Sequence, residues 1–334
     1  MQRLAVAVVH GIEIDDEKFA VTPTRLLQEG FAKALGPGGP DPEEALEIQP
    51  IHWAPHLDNR QRELFDKMSP GGLSAHFDAI VRTVRGVNAG SVMSLVPLML
   101  RVLQRSGPGQ PLHYPTGRWL MLHFVGDAIA YDRYSAAANY EAIHTTFATG
   151  LASLAAKAGP DAPLCVVAHS FGTVLASDYF YDRQQNALGN RRLLLPAVRA
   201  AAGRSALARG DTLAWMYTLG SPMALWSLRY AKAELNKPID FPAVKLADHH
   251  RPLDTEWVNF FDADDVIAYP LRPLSKAYAK VVCEDRAVSV KRLSGLPASL
   301  TPLIHPYYWA DRTVTDRIAR TLAAGWRRLN PGPR

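Results

Sequence analysis

The sequence predicts an α/β protein: a mostly parallel central sheet with helices on both faces. Three observations predict it. Apolar runs of strand length alternate with segments of helical periodicity along the chain. Leu4–Val9 is apolar without a break, as a strand covered on both faces must be. A hydrophobic content of 48% over 334 residues is enough for a sizeable core in a single domain. We therefore expect one domain with about six to eight strands.

The elements follow in order. Leu4–Val9 is a continuous apolar strand. Thr22-Pro23 opens a helix, with Thr as cap and Leu27, Phe31 and Leu35 on one face, and the Gly36–Pro40 cluster ends it. Glu47–Trp53 reads as a second strand and Trp119–Val125 as another extended segment. Ile143, Phe147, Leu151 and Leu154 mark a helix before the Gly159-Pro160 break, and Leu164–Ala168 is the most apolar strand of all. Thr212–Leu219, Trp257–Phe261 and Lys280–Val290 are the later strands. A last helix, capped by Asp311, places Val314, Ile318, Leu322 and Trp326 four residues apart. Residues 57–117 break the alternation and read as a helical insertion, standing either as a crossover helix of the core or as a cap over the active site.

Composition excludes several classes. Disorder needs fewer apolar residues, and a membrane span needs about 18 in succession. The longest candidate, Val92–Leu103, is interrupted by Ser94, Pro97 and Arg101. Leu4–Val9 is too short for a secretory leader, and Cys165 and Cys283 do not make a disulfide framework, so a cytoplasmic protein with reduced thiols is expected. The formal charge of +5 is partly local, because Arg183 to Arg209 holds six arginines and no acid. We read that stretch as a solvated surface. No nucleic-acid module accompanies it, so no nucleic-acid partner is expected. Asp248, His249 and His250 are consecutive and cannot all face one ion from regular structure, so no metal is expected there either.

The strongest signal is Leu164-Cys-Val-Val-Ala-His-Ser-Phe-Gly-Thr-Val-Leu175. Ala168 and Gly172 flank Ser170 at minus two and plus two, between a buried strand and a helix that turns Val174, Leu175 and Tyr179 to the sheet. Only small neighbours let strand and helix pass closely enough to hold a serine on so sharp a turn. His169 is adjacent to Ser170, and adjacent positions on a tight turn point apart, so its ring is expected to tuck under the turn. With Ala168 in place of the commoner Gly, the segment resembles the lipase and esterase branch of the α/β-hydrolases, a bacterial lipase-like serine hydrolase.

That resemblance implies the α/β-hydrolase fold and assigns roles. Ser170 is the nucleophile. His10-Gly11-Ile12, directly after the first strand, places the Ile12 N–H as one oxyanion donor, and the Phe171 N–H is the other. His305, in Leu303-Ile-His-Pro-Tyr-Tyr-Trp309, is the base. The acid falls between serine and histidine in chain order, where Asp262, Asp264 and Asp265 follow the Trp257 strand. Asp265-Val-Ile-Ala268 fits the family pattern best. Gly220-Ser221-Pro222 is similar to a turn of the same family.

The expected reaction is hydrolysis of a small or lipid-like carboxylic ester through an acyl-enzyme, with no cofactor. The same three residues also suit an acyltransferase or thioesterase, and a peptidase or amidase. A binding protein with an idle serine is the remaining alternative.

Overall fold

A computed structural model describes residues 1–11, 17–56, 67, 126, 128–134, 136–190, 192–230, 236–290 and 305–331. Six strands form one sheet: β1 (Leu4–Val9), β2 (Leu46–Ile51), β3 (Leu164–His169), β4 (Leu213–Leu219), β5 (Glu256–Phe261) and β6 (Glu284–Ala287). Their order is β2-β1-β3-β4-β5-β6, and every neighbouring pair is parallel. β1, β3 and β4 are buried at every residue, which explains their unbroken apolar sequences. Burying Val, Leu and Ile side chains in this way stabilises the sheet by about 1.5–3 kcal/mol each.

The principal helices are α1 (Val21–Leu35), α2 (Ala137–Ala158), α3 (Gly172–Ala187), α4 (Pro196–Ala202), α5 (Ala206–Arg209), α6 (Lys276–Val281) and α7 (Arg312–Leu329). The chain moves from β1 outward to β2, then returns to the other side of β1 for β3 and onward to β6. Right-handed crossovers in those two directions put their helices on opposite faces. The reversal leaves a crevice between the carboxyl ends of β1 and β3, the place where open parallel sheets carry ligands. α1 and α7 pack together closely, since a Cβ on Gly30 would lie 2.8 Å from the Cβ of Ala319.

The chain forms two compact units. The sheet and its helices, apart from the first four residues of α2, belong to the first, Met1–Gly11, Ala20–Trp53 and Glu141–Arg334. The second is Ile12–Phe19 with Ala54–Tyr140. In it Tyr131 stacks on Tyr140 at 4.9 Å, and the Arg133 guanidinium lies 4.7 Å above the same ring.

Two sequence expectations are corrected. α1 starts at Val21 behind Ala20, and no side chain caps it. Thr22 and Pro23 sit inside the first turn, where a missing N–H costs nothing because those donors have no intrahelical acceptor. The predicted strand Lys280–Val290 is instead the end of α6 followed by the short β6. Ser275 accepts a hydrogen bond from the Tyr278 N–H and nucleates helix through Val281, so only the polar Glu284–Ala287 reaches the sheet edge. Trp119–Val125, Ile12 and the insertion at 57–117, apart from Lys67, lie outside the described residues.

Candidate active site

β3 ends on the turn that carries Ser170, and α3 begins two residues later. Ser170 has φ 54°, the one positive value on a non-glycine residue among those described. Such a conformation costs an L-residue about 1–2 kcal/mol and persists only where the surroundings enforce it. They do so here. The Ser170 N–H donates to Leu219 O at 2.9 Å, and the Thr173 hydroxyl donates to Ser170 O at 2.7 Å. A Cβ on Gly172 would stand 2.2 Å from His10 O, and one on Gly11 2.5 Å from the Ser170 Cβ. The two glycines let the β1 loop and the head of α3 meet at the crevice between β1 and β3.

The loop after β5 supplies the aspartates, and the structure separates their roles. Asp262 accepts the N–H groups of Asp264 at 3.0 Å and Val290 at 2.8 Å, one on each oxygen, and so braces the loop. Asp264 is exposed. Asp265 is buried, and its Oδ2 lies 2.7 Å from His305 Nδ1. The same oxygen accepts the Tyr308 hydroxyl at 3.0 Å, while Oδ1 accepts the Ile267 N–H at 3.2 Å. Burial alone would raise the Asp265 carboxyl, but the charge and hydrogen bond of His305, with the two other donors, hold it below its ordinary value. An ionised Asp265 accepts a hydrogen bond from Nδ1–H, which leaves Nε2 as the ring nitrogen able to exchange a proton.

His305 begins a 3-10 turn, His305–Ala310, ahead of α7. Gly220, at φ 58°, fits against it: a Cβ there would lie 3.1 Å from His305 Nδ1 and 2.8 Å from the Tyr308 ring. His169 also holds the turn. Its Nε2–H donates to His305 O at 2.7 Å, and the two rings lie 4.7 Å apart. Burial, then the field of His305, push the His169 imidazole down to about 3, so it stays neutral.

Sequence reasoning missed three supports. Tyr308 bridges the aspartates, accepting the Asp262 N–H at 2.8 Å while donating to Asp265. Its signal was its place three residues after His305, one helical turn on. His10 is the second. Trp53 N–H donates to its Nε2 at 3.0 Å, so its Nδ1 carries the proton and donates to Gly11 O at 2.5 Å. Burial lowers this imidazole to about 3 as well. Trp53 is the third: it stacks on His10 with 4° between the planes, and its indole N–H donates to His10 O at 2.9 Å. Phe171 then packs edge-on to Trp226 and tilted to Trp53, giving the turn an aromatic surround.

Ser170 Oγ and His305 Nε2 are both buried, and neither has a hydrogen-bond partner among the described residues, so they are not bonded to each other here. His249 and His250 lie elsewhere and meet Asp161, through its carboxylate at 3.6 Å and its carbonyl at 2.5 Å. His249 ends a short helix, Leu246–His249, and His250 is the residue that follows it. No group of three or more potential metal ligands occurs among the described residues, and no helix there is long and apolar enough to cross a membrane. Both cysteines are free, Cys165 buried in β3 and Cys283 exposed. The chain matches none of the family models, curated proteins or solved structures compared with it.

Proposed function

We propose that this protein is a serine hydrolase of the α/β-hydrolase type that cleaves carboxylic esters. The observation that carries the reading is the 2.7 Å contact between Asp265 Oδ2 and His305 Nδ1, beside a serine held at positive φ on a strand-to-helix turn. A structural serine has no need of that strained turn, and a structural histidine has no need of a buried, ionised carboxylate behind it.

Ser170 Oγ attacks the ester carbonyl carbon while its proton passes to His305 Nε2. The carbonyl π electrons move to oxygen, and the Phe171 N–H is assigned to that oxyanion. As the tetrahedral centre collapses, the C–O bond to the alcohol breaks and His305 returns the proton to the departing oxygen. Water then attacks the acyl-enzyme with His305 again as base, freeing the acid and Ser170. Asp265 orients the imidazole and stabilises its cation throughout. Tyr308 and Ile267 keep Asp265 ionised and fixed by donating to it.

A panel of p-nitrophenyl esters of increasing acyl length tests the activity, with Ser170→Ala as the control. The wild type should turn over at least one member, and the variant should fall to background. Equal rates from both proteins would reject the proposal.

A further inference from the structure

The turn after β4 meets the turn that carries Ser170 through side chains as well as backbone. Leu219 O accepts the Ser170 N–H, and just beyond it Ser221 faces Thr173 in the first turn of α3, with the two hydroxyl oxygens 2.7 Å apart. The proton positions follow from the neighbours. Thr173 has one hydroxyl proton, and it lies on Ser170 O at 2.7 Å, so Ser221 is the donor between the two hydroxyls. Ser221 Oγ in turn accepts the Met223 N–H at 3.3 Å. Ser221 and Thr173 are both fully buried, so bulk water does not compete for these bonds. The turn itself is fixed to β5, because the Gly220 N–H donates to Phe260 O at 2.9 Å.

Ser170 O thus receives two donors from one residue, the Thr173 N–H at 3.0 Å and the shorter bond from its hydroxyl. This carbonyl belongs to the same planar peptide unit as the Phe171 N–H. The unit is trans, so its C=O and N–H bonds point in opposite directions. Anchoring the oxygen inside the first turn of α3 therefore aims the Phe171 N–H out of the helix start. A hydrogen bond on the carbonyl also polarises the amide and strengthens its N–H as a donor. A backbone bond alone anchors the carbonyl at any helix start. Here the preceding φ is the strained 54° of Ser170, and the hydroxyl supplies a second anchor.

We infer that the buried Ser221–Thr173 hydroxyl pair positions the oxyanion donor, a role that rests on the hydrolase reading of Ser170. Ser221 donates to Thr173, Thr173 donates to Ser170 O, and the Phe171 N–H is held in place for the charge that develops on the substrate oxygen. Both hydroxyls are enclosed, so they act through the peptide they hold and not on the substrate. Their effect falls on the transition state, where the oxyanion exists, and little of it on the bound ester.

The test compares turnover, KM and capture of a transition-state mimic by the full chain. The mimic is a trifluoromethyl ketone carrying the acyl chain of the best p-nitrophenyl ester. Ser170 Oγ adds to its carbonyl carbon, the serine proton passes to His305, and the π electrons become an oxyanion that stays bound. Thr173→Val, which keeps the shape and removes the hydroxyl, should lower kcat and ketone affinity by about tenfold each, with KM changed by less than about twofold. Ser221→Ala should lower both by about threefold. Thr173→Ser, which restores the donor, should recover most of the loss. The double variant should be no slower than Thr173→Val alone, because Ser221 acts through Thr173. A pair that is structural only would lower the urea midpoint and leave kcat and ketone affinity of the folded enzyme native, which overturns the inference, as does a loss confined to KM. Should Thr173→Val fail to fold, Ser221→Ala decides, and native kcat with native ketone affinity in that variant overturns the pair. A wild type that hydrolyses no ester and captures no ketone overturns the hydrolase reading itself. An active wild type with an equally active Thr173→Val overturns the positioning role alone.

Discussion

Gly11 and Ser170 approach so closely that a Cβ on the glycine would lie 2.5 Å from the serine Cβ and 3.0 Å from its Oγ. That contact joins the loop after β1 to the turn after β3, the two strands between which the order of strand addition reverses. Gly11→Ala should therefore destabilise the fold by about 1–3 kcal/mol through overpacking. It should also cut ester hydrolysis by on the order of a hundredfold, as the serine is pushed from its place. Urea denaturation and initial rates measure the two effects. A variant with native stability and native rates would show that this approach is not needed.

Asp265→Asn should lower turnover by about four orders of magnitude, because an amide no longer fixes the imidazole tautomer that leaves Nε2 basic. Asp264→Asn should cost less than threefold, its carboxylate being exposed. Steady-state kinetics on the two variants decide between them, and the reverse order of damage would move the acid to Asp264.

Tyr308→Phe removes the donor to Asp265 Oδ2 and leaves the Asp262 N–H without its acceptor. We expect a stability loss of about 1–3 kcal/mol from the unpaired group. The acid limb of the kcat–pH profile should move upward, since Asp265 loses a hydrogen bond that favours its charged form. An unchanged profile together with lost stability would make Tyr308 structural only.

Much of this site was legible in sequence, for physical reasons. β1, β3 and β4 are covered on both faces, so burial wrote itself into unbroken apolar runs. The Ser170 turn needed small residues at fixed offsets, and Gly172 shows why: any Cβ there meets His10 O. What stayed hidden is polar and non-local. Three aspartates in four positions look alike in sequence, and only the loop backbone decides that Asp262 receives N–H groups while Asp265 faces His305. β6 was misread because the apolar Val281 and Val282 precede an edge strand whose own residues are Glu, Asp and Arg. The cradle around His10 was invisible because Trp53 reaches it from across the β1–β2 pair.

Acid sensitivity follows from the two neutral histidines. His10, near His52 and His169, and His169, near His305 and Asp265, each have a pKa of about 3 when folded against 6.5 unfolded. Between those values the unfolded chain binds more protons, so their contribution is complete above pH 6.5 and is lost as pH falls toward about 3. Each imposes a slope of up to about 1.4 kcal/mol per pH unit. Asp265, lowered from 3.8, adds a loss in the same direction as pH falls through its folded value. Urea unfolding between pH 6.5 and 4.5 should show this dependence. His169→Gln should flatten it, its amide N–H standing in as donor to His305 O. An equal slope in the variant would contradict the assignment.

The central claim is that Ser170 is a nucleophile made reactive by His305. A fluorophosphonate probe tests it most directly, because the serine must attack phosphorus and expel fluoride to be labelled. Incubating the full chain with the probe and mapping the modified peptide by mass spectrometry should place one phosphonate on Ser170. Ser170→Ala should remain unlabelled, and His305→Ala should label at least a hundredfold more slowly. A wild-type protein that stays unlabelled, or one whose label falls on another residue, would contradict the account.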